Sequence, residues 1–345
     1  VYKSDTPFTD VSGLTPEATL GADVREYTFS GLDRTQTFYF AVVGINRLGD
    51  FNPSVTTVSW SDPLAGNLTA DLTIPAGVSE ILSTLTVTSG AVLTVEAGAE
   101  VRFASGAGLV VEDGVLVAEG TIFEPIEFTS IADNGGAPAR GDWEGIRLAD
   151  TTSLSSLDHV WIRYGRGLIV DGAEPTIGTL ATVANADAGI TLRNEAAVTA
   201  SGLFVAANAT GVSVEDISTI TLTDSVIKNN DLNAENLGTG LCVLEGNWWG
   251  TTDPAQIDAS TAGVVQTASP LGAEPVLTAG LATADGSATT GMATLDLSLA
   301  SLNAEAYRLS EDSTFAGVLF ESVDFDPDGV DLYRTAPFTV PFGLS

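Results

Sequence analysis

Three groups of residues in this chain are of types that do chemistry. In the first, Asp324, Asp326 and Asp328 precede Gly329. That spacing lets alternate carboxylates wrap a Ca²⁺ ion while the glycine permits the turn. The glutamate that closes such a loop is replaced by Thr335, so Asp331 is the substitute ligand and Ca²⁺ the cofactor to consider. A polar turn between strands is the plainer reading of the same residues. The second group is Asp142, Glu144, Asp158, His159, Arg163 and Arg166. Hydrolysis of a glycosidic bond needs two flanking carboxylates, one with a raised pKa. Lyase action needs Ca²⁺-binding acids beside a basic group, for which Arg147, Arg163, Arg166, Arg193 and Lys228 are the candidates. His159, the single histidine, stands in an alternating stretch and reads as a packed or surface residue rather than a general base. The third is Cys242, the single cysteine, which excludes an internal disulfide. It follows Val198 and Ile220 at a 22-residue interval, the place of a small buried hydrophobe rather than a reactive thiol. Phosphate-binding glycine loops and CxxC pairs are absent from the sequence.

These residues must be positioned by a repeating element. Gly145, Gly167, Gly189 and Gly211 are 22 residues apart, each followed by Ile146, Leu168, Ile190 or Val212. Leu148, Val170, Leu192 and Val214 keep the same register, as do Trp161, Val183, Val205 and Ile227, while Asn208 recurs as Asn230. A short fixed period means stacked units, none of which buries its apolar face alone. Alternation such as Ile190-Thr191-Leu192 has the period of two of a strand. One short strand per side, repeating above itself, is a parallel β-helix. Upstream, Leu85-Thr86-Val87, Leu93-Thr94-Val95, Val101-Arg102-Phe103 and Leu109-Val110-Val111 are spaced by 8, with glycines between or after them. Three such sides make one coil, and residues from Leu68 to about Leu277 leave room for roughly nine coils. Trp248 and Trp249 are expected to plug the last of them.

The ends differ. Glu26–Leu32, Thr37–Gly44 and Pro53–Val58 read as three antiparallel strands, and Ala293–Leu299 and Tyr307–Ser310 as two more near the C-terminus. The expected organisation is therefore all-β: a partial sandwich over 1–63, a parallel β-helix over 64–277 and a second partial sandwich over 278–345. Early strands are missing from the first sandwich and late ones from the second. The first residue is Val1, not Met, so the expectation is a window from a longer modular protein, with strand exchange between subunits as the alternative.

The net charge of −32 reflects a shortage of bases, since Lys3 and Lys228 are the only lysines. Such a surface repels nucleic acid and anionic membranes. No run of 18 apolar residues is present, so membrane insertion by a helix is not expected. An acidic surface of this kind suits a secreted protein in a saline or Ca²⁺-rich setting.

The passages LTVTSGAVLTVEAGAEVRF, EGTIFEPIEFTS, GDWEGIRL and GNWWGTTDPAQI resemble right-handed parallel β-helix proteins of the pectin-lyase-like group. SGLDRTQTFYFAVVGINRLGDFNPSVTTVS resembles the later strands of a fibronectin type III domain, and YRLSEDSTFAG resembles Ig-like modules of bacterial surface proteins. The resemblance implies a right-handed coil at a cell surface or in the extracellular space. It leaves activity open, because the fold carries lyases, hydrolases and adhesins alike. The expected function is a non-enzymatic structural or adhesive segment of a large extracellular modular protein or fibre, partnered by neighbouring modules or subunits. A glycan-binding module, or a polysaccharide lyase or hydrolase, is the alternative.

Overall fold

The structure, a computed structural model, describes residues 1–21, 23–30, 32, 36–60, 62, 64–149, 154–275 and 277. It also gives the backbone of the strands Thr278–Thr283, Thr294–Leu302, Ala306–Tyr307, Glu321–Ser322 and Tyr333–Pro341. Two compact units divide the chain, Val1–Gly66 and Asn67–Ser345.

The second unit is built around a parallel β-solenoid of about 8 turns. Each turn visits three sides, as Gly66–Leu68, Leu72–Ile74 and Gly77–Ile81 do before Leu85–Val87 returns to the first. Strands of the first side stack into a nine-stranded sheet, the long sheet, and those of the third side into a seven-stranded sheet. The second side carries a five-stranded sheet and then a three-stranded one. Parallel strands must be joined by crossovers, and here the other two sides of the coil supply them.

Inside the coil, alternate residues of each strand are fully buried: Leu85 and Val87, Leu109 and Val111, Ile146 and Leu148, Leu168 and Val170. The 22-residue register holds on the long sheet, where Ile146 pairs with Leu168, Leu168 with Ile190, Ile190 with Val212, and Val212 with Ala234. It does not extend upstream. Leu109 pairs directly with Ile146, so that coil spans 37 residues and holds an excursion through the short 3₁₀ helix Ile131–Asp133. The extra chain is used for packing. Trp143 returns from it into the interior, fully buried and stacked on Phe103 with ring centroids 4.2 Å apart and planes 7° apart.

The seven-stranded sheet departs from the expected register. Trp161 stacks on Ala181, not Val183, and Thr182 stacks on Val205. Consequently Val205 and Ile227 face inward, whereas Trp161 and Val183 lie on the outer face. There they join Ala181, Phe204 and Val226 in an apolar cluster outside the coil. Trp248, bridged to Val226, and Leu277 pack on it from the C-terminal side. Trp248 therefore covers an outer face rather than plugging the coil, while Trp249 is buried.

Corners between the seven-stranded and long sheets are tied by an amide ladder. Tyr164, Ala184, Ala207 and Asn229 each adopt positive φ there. The next residue in three of those coils is Asn185, Asn208 or Asn230. The Asn185 side-chain amide donates to Asn208 Oδ1 at 2.9 Å, and that of Asn208 to Asn230 Oδ1 at 3.0 Å. The same amides donate to the carbonyls of Ile162, Thr182 and Val205, so each asparagine satisfies backbone that the turn leaves free. On the second side, Val198, Ile220 and Cys242 stack in register, and burial pushes the Cys242 thiol up to about 12. The native protein should therefore be inert to a thiol reagent until denaturant is added. Stoichiometric labelling of Cys242 without denaturant would contradict this placement.

In the first unit, Tyr2–Ser4, Phe38–Ala41 and Val58–Trp60 form an antiparallel sheet in that order. The expected strand around Tyr27–Phe29 makes no ladder. The Phe29 ring lies against Phe40 of the sheet instead, with centroids 4.6 Å apart, and Tyr27 packs edge-on to Phe29. Near the C-terminus, Thr294–Leu302 is the central strand of a three-stranded antiparallel sheet, between Thr278–Thr283 and Tyr333–Pro341. The stretch Arg308–Gly317 lies outside the described residues.

Candidate functional site

A linked group of charged side chains lies on the outer face of the long sheet. Register dictates it. Residues between the buried ones project outward, and Val110, Arg147, Ile169, Thr191, Ser213 and Glu235 follow one another up successive coils. A second outward row holds Asp171 beside Arg193.

Asp171 is the hub. Its carboxylate accepts from Arg147 Nε at 2.7 Å, from Arg193 at 2.9 Å and from the Asn194 side-chain amide. Burial pushes this carboxyl up, but the hydrogen bonds from Asn194, Arg147 and Arg193 together outweigh it and hold it below the ordinary carboxylate range. Arg147 also reaches Glu112 at 3.6 Å, and Arg166 bridges Glu144 at 3.1 Å and Asp187 at 3.2 Å. Above them Ser213 donates to Glu235 at 2.8 Å. A groove of about 370 Å³ runs along this face, lined by Arg166, Thr191, Arg193, Ser213, Glu215 and Glu235 among others.

The expected six-residue group does not converge. Glu144 and Arg166 meet on this face. Asp142 instead caps the excursion, accepting from Ser130 Oγ and the Ala139 N–H. Asp158 accepts from the Thr179 N–H and lies 3.1 Å from His159 Nδ1, with His159 at positive φ in a turn. Arg163 sits on the seven-stranded sheet against Glu127 and Asp133. Lys228 pairs with Glu274 and lies 5.6 Å from the Phe204 ring. Register alone identifies Asp171, which stands one coil below Arg193. Glu127 gives no such signal, because its burial depends on the excursion.

Among the described residues, Glu127 is the one carboxyl displaced upward, to about 7. Burial is the main cause; Arg163 opposes it, and Asp133 and Glu100 add to it. It stacks beneath Trp161 on the outer face of the seven-stranded sheet, not in the groove. Among the described residues no group of three or more His, Cys, Asp or Glu is placed to hold a metal ion. The expected ligands Asp324, Asp326, Asp328 and Asp331 lie outside the described residues.

Comparison with protein-family models, with curated proteins and with solved structures finds no match. The reading of this face therefore rests on its geometry. Its arginines engage carboxylates of adjacent coils, an arrangement that clamps neighbouring turns and presents mixed charge along a shallow groove.

Proposed function

We propose that this chain is a non-enzymatic structural or adhesive segment of a large extracellular modular surface protein or fibre. In this reading the solenoid is a stiff spacer, and its neighbours are fibronectin type III-like and Ig-like modules or further subunits. The observation that carries it is the Arg147–Asp171–Arg193 clamp, in which one buried carboxylate joins guanidinium groups from coils on either side. With the asparagine ladder, it ties turn to turn on two corners of the coil. The separation of Glu127 from the groove also favours this reading. Glycosidic hydrolysis would need a raised carboxyl and a second carboxylate about one bond. A surface of net charge −32 with few lysines suits an extracellular, saline setting. Incubation with polygalacturonate, alginate and other acidic glycans is expected to release no oligosaccharide; turnover of any of them overturns the proposal.

The groove supports a second reading, a glycan-binding module that uses Arg166 and Arg193. Trp143 and Trp161 are both buried, which counts against an aromatic platform of the kind such a module commonly offers.

A further inference from the structure

The acceptor triplet for N-linked glycosylation, Asn-x-Ser/Thr, occurs twice in this chain, as Asn67-Leu68-Thr69 and Asn208-Ala209-Thr210. The fold treats the two in opposite ways. Asn208 is fully buried. Its side-chain nitrogen donates to the Thr182 carbonyl at 2.9 Å and to Asn230 Oδ1 at 3.0 Å, so both of its hydrogens are spent within the asparagine ladder. Thr210 opens the strand Thr210–Val214, which has a neighbour on each side in the long sheet.

Asn67 is the first residue of the second unit and stands in Gly66–Leu68, the end strand of the long sheet. The Thr88 N–H donates to the Leu68 carbonyl at 3.0 Å. Glu112 makes the same bond to Val87 one coil on, where Val87 pairs with Val111. This bond therefore sets Leu68 beside Val87 and Asn67 beside Thr86, at the start of the outward row that continues as Val110 and Arg147. Asn67 and Thr69 are both exposed, as are the residues that follow at 70 and 71. The strand also needs a cover. An end strand presents unpaired N–H and C=O groups that invite another chain to pair unless charge, proline or bulk blunts it. Residues 66–74 hold no lysine, arginine or proline. Their single acid, Asp71, is turned back to accept from the Val92 N–H.

We propose that Asn67 carries an N-linked oligosaccharide and that Asn208 does not. In the transfer, Asn67 Nδ2 attacks the anomeric carbon of an oligosaccharide held on a lipid diphosphate. A C–N bond forms, the bond from that carbon to the diphosphate oxygen breaks with its electron pair, and the amide proton passes to a base of the transferase. The hydrated glycan then shields the end strand of the long sheet. This rests on the extracellular reading, because the triplet is an acceptor in exported chains.

The test is mass spectrometry of peptides from the full chain, purified from its own cells as separate extracellular and cytosolic fractions. The expected result is sugar mass on the Asn67 peptide of the extracellular protein and none on the Asn208 peptide. Thr69→Ala should abolish the modification and Thr69→Ser should restore it, since the acceptor triplet needs a hydroxyl two residues on. Thr69 is exposed, so neither change touches the core. Asn67→Gln should abolish it too; sugar that survives this change sits on a hydroxyl and overturns the proposal. Bare Asn67 in extracellular protein overturns the proposal while leaving the extracellular reading in place. A chain found only in the cytosol with bare Asn67 overturns both. Sugar on Asn208 overturns the discrimination by burial on which the proposal stands.

Discussion

Replacing Trp143 with alanine should lower the unfolding free energy by about 3–5 kcal/mol, the range for removing a large buried aromatic side chain. The indole is fully buried inside the 37-residue coil and stacked on Phe103, whose ring lies 6.4 Å from that of Phe128. Its Nε1–H donates to the Arg163 carbonyl at 2.8 Å, which joins the excursion to the next coil of the seven-stranded sheet. The backbone below cannot close over the gap. A Cβ at Gly165 would approach the indole Cε2 to 2.7 Å, so this stretch of chain is already shaped around the ring. Phenylalanine at 143 refills most of the volume but loses the bond to Arg163, and should cost about 1–2 kcal/mol. Urea unfolding followed by circular dichroism distinguishes these cases. A loss below about 1 kcal/mol for Trp143→Ala would mean that the coil collapses onto the cavity and that the excursion is not anchored by the indole. Because each coil contacts only its neighbours, the variant should also split the transition, with coils before Ile146 melting first.

The part of the fold that could be read from the sequence is the part without insertions. Between Ile146 and Ala234 the long sheet advances by one fixed step, so inward Leu, Ile and Val residues recur at matching positions and fix the strand faces. The asparagine ladder was legible for Asn208 and Asn230, which obey that step. Asn185 escaped because it stands 23 residues before Asn208. The same irregularity misplaced Trp161 and Val183. One coil on the seven-stranded sheet is 20 residues long and the next 23, and a uniform step averages over the difference. The physical signal was present in another form. Leu180-Ala181-Thr182-Val183-Ala184 and Leu203-Phe204-Val205-Ala206-Ala207 are almost continuous apolar runs, which mark strands buried on both faces. Alternation marks strands with one wet face, and the long sheet has it. Of the candidate site, the arginines were legible from their type and the clamp only from register. Asp171 acquires its role from Arg147 one coil below and Arg193 one coil above, a relation that no local spacing expresses.

Glu127 supplies the second large effect, and it is read through pH. Its carboxyl titrates near 7 in the folded chain, against an ordinary value of 4.5. Between those two values the folded state holds a proton that the unfolded state has released. Stability therefore falls as pH rises through this window, by about 2–3 kcal/mol. Asp171 works in the opposite sense and outside the window. Its carboxyl is held below the ordinary range, so its contribution is present above that range and is lost only on further acidification. Glu127→Gln keeps an acceptor beside Arg163, which also retains Asp133 at 3.1 Å, but removes the titration. The variant should match the wild type near pH 5 and exceed it at pH 8 by about 2–3 kcal/mol, since glutamine carries no charge to bury. Repulsion among the other acids grows with pH in both proteins, so the informative quantity is the difference between their urea midpoints at each pH. Parallel profiles would show that Glu127 is ionised and solvated throughout, and that Arg163 with Asp133, rather than a protonated carboxyl, holds the outer face of the seven-stranded sheet at this coil.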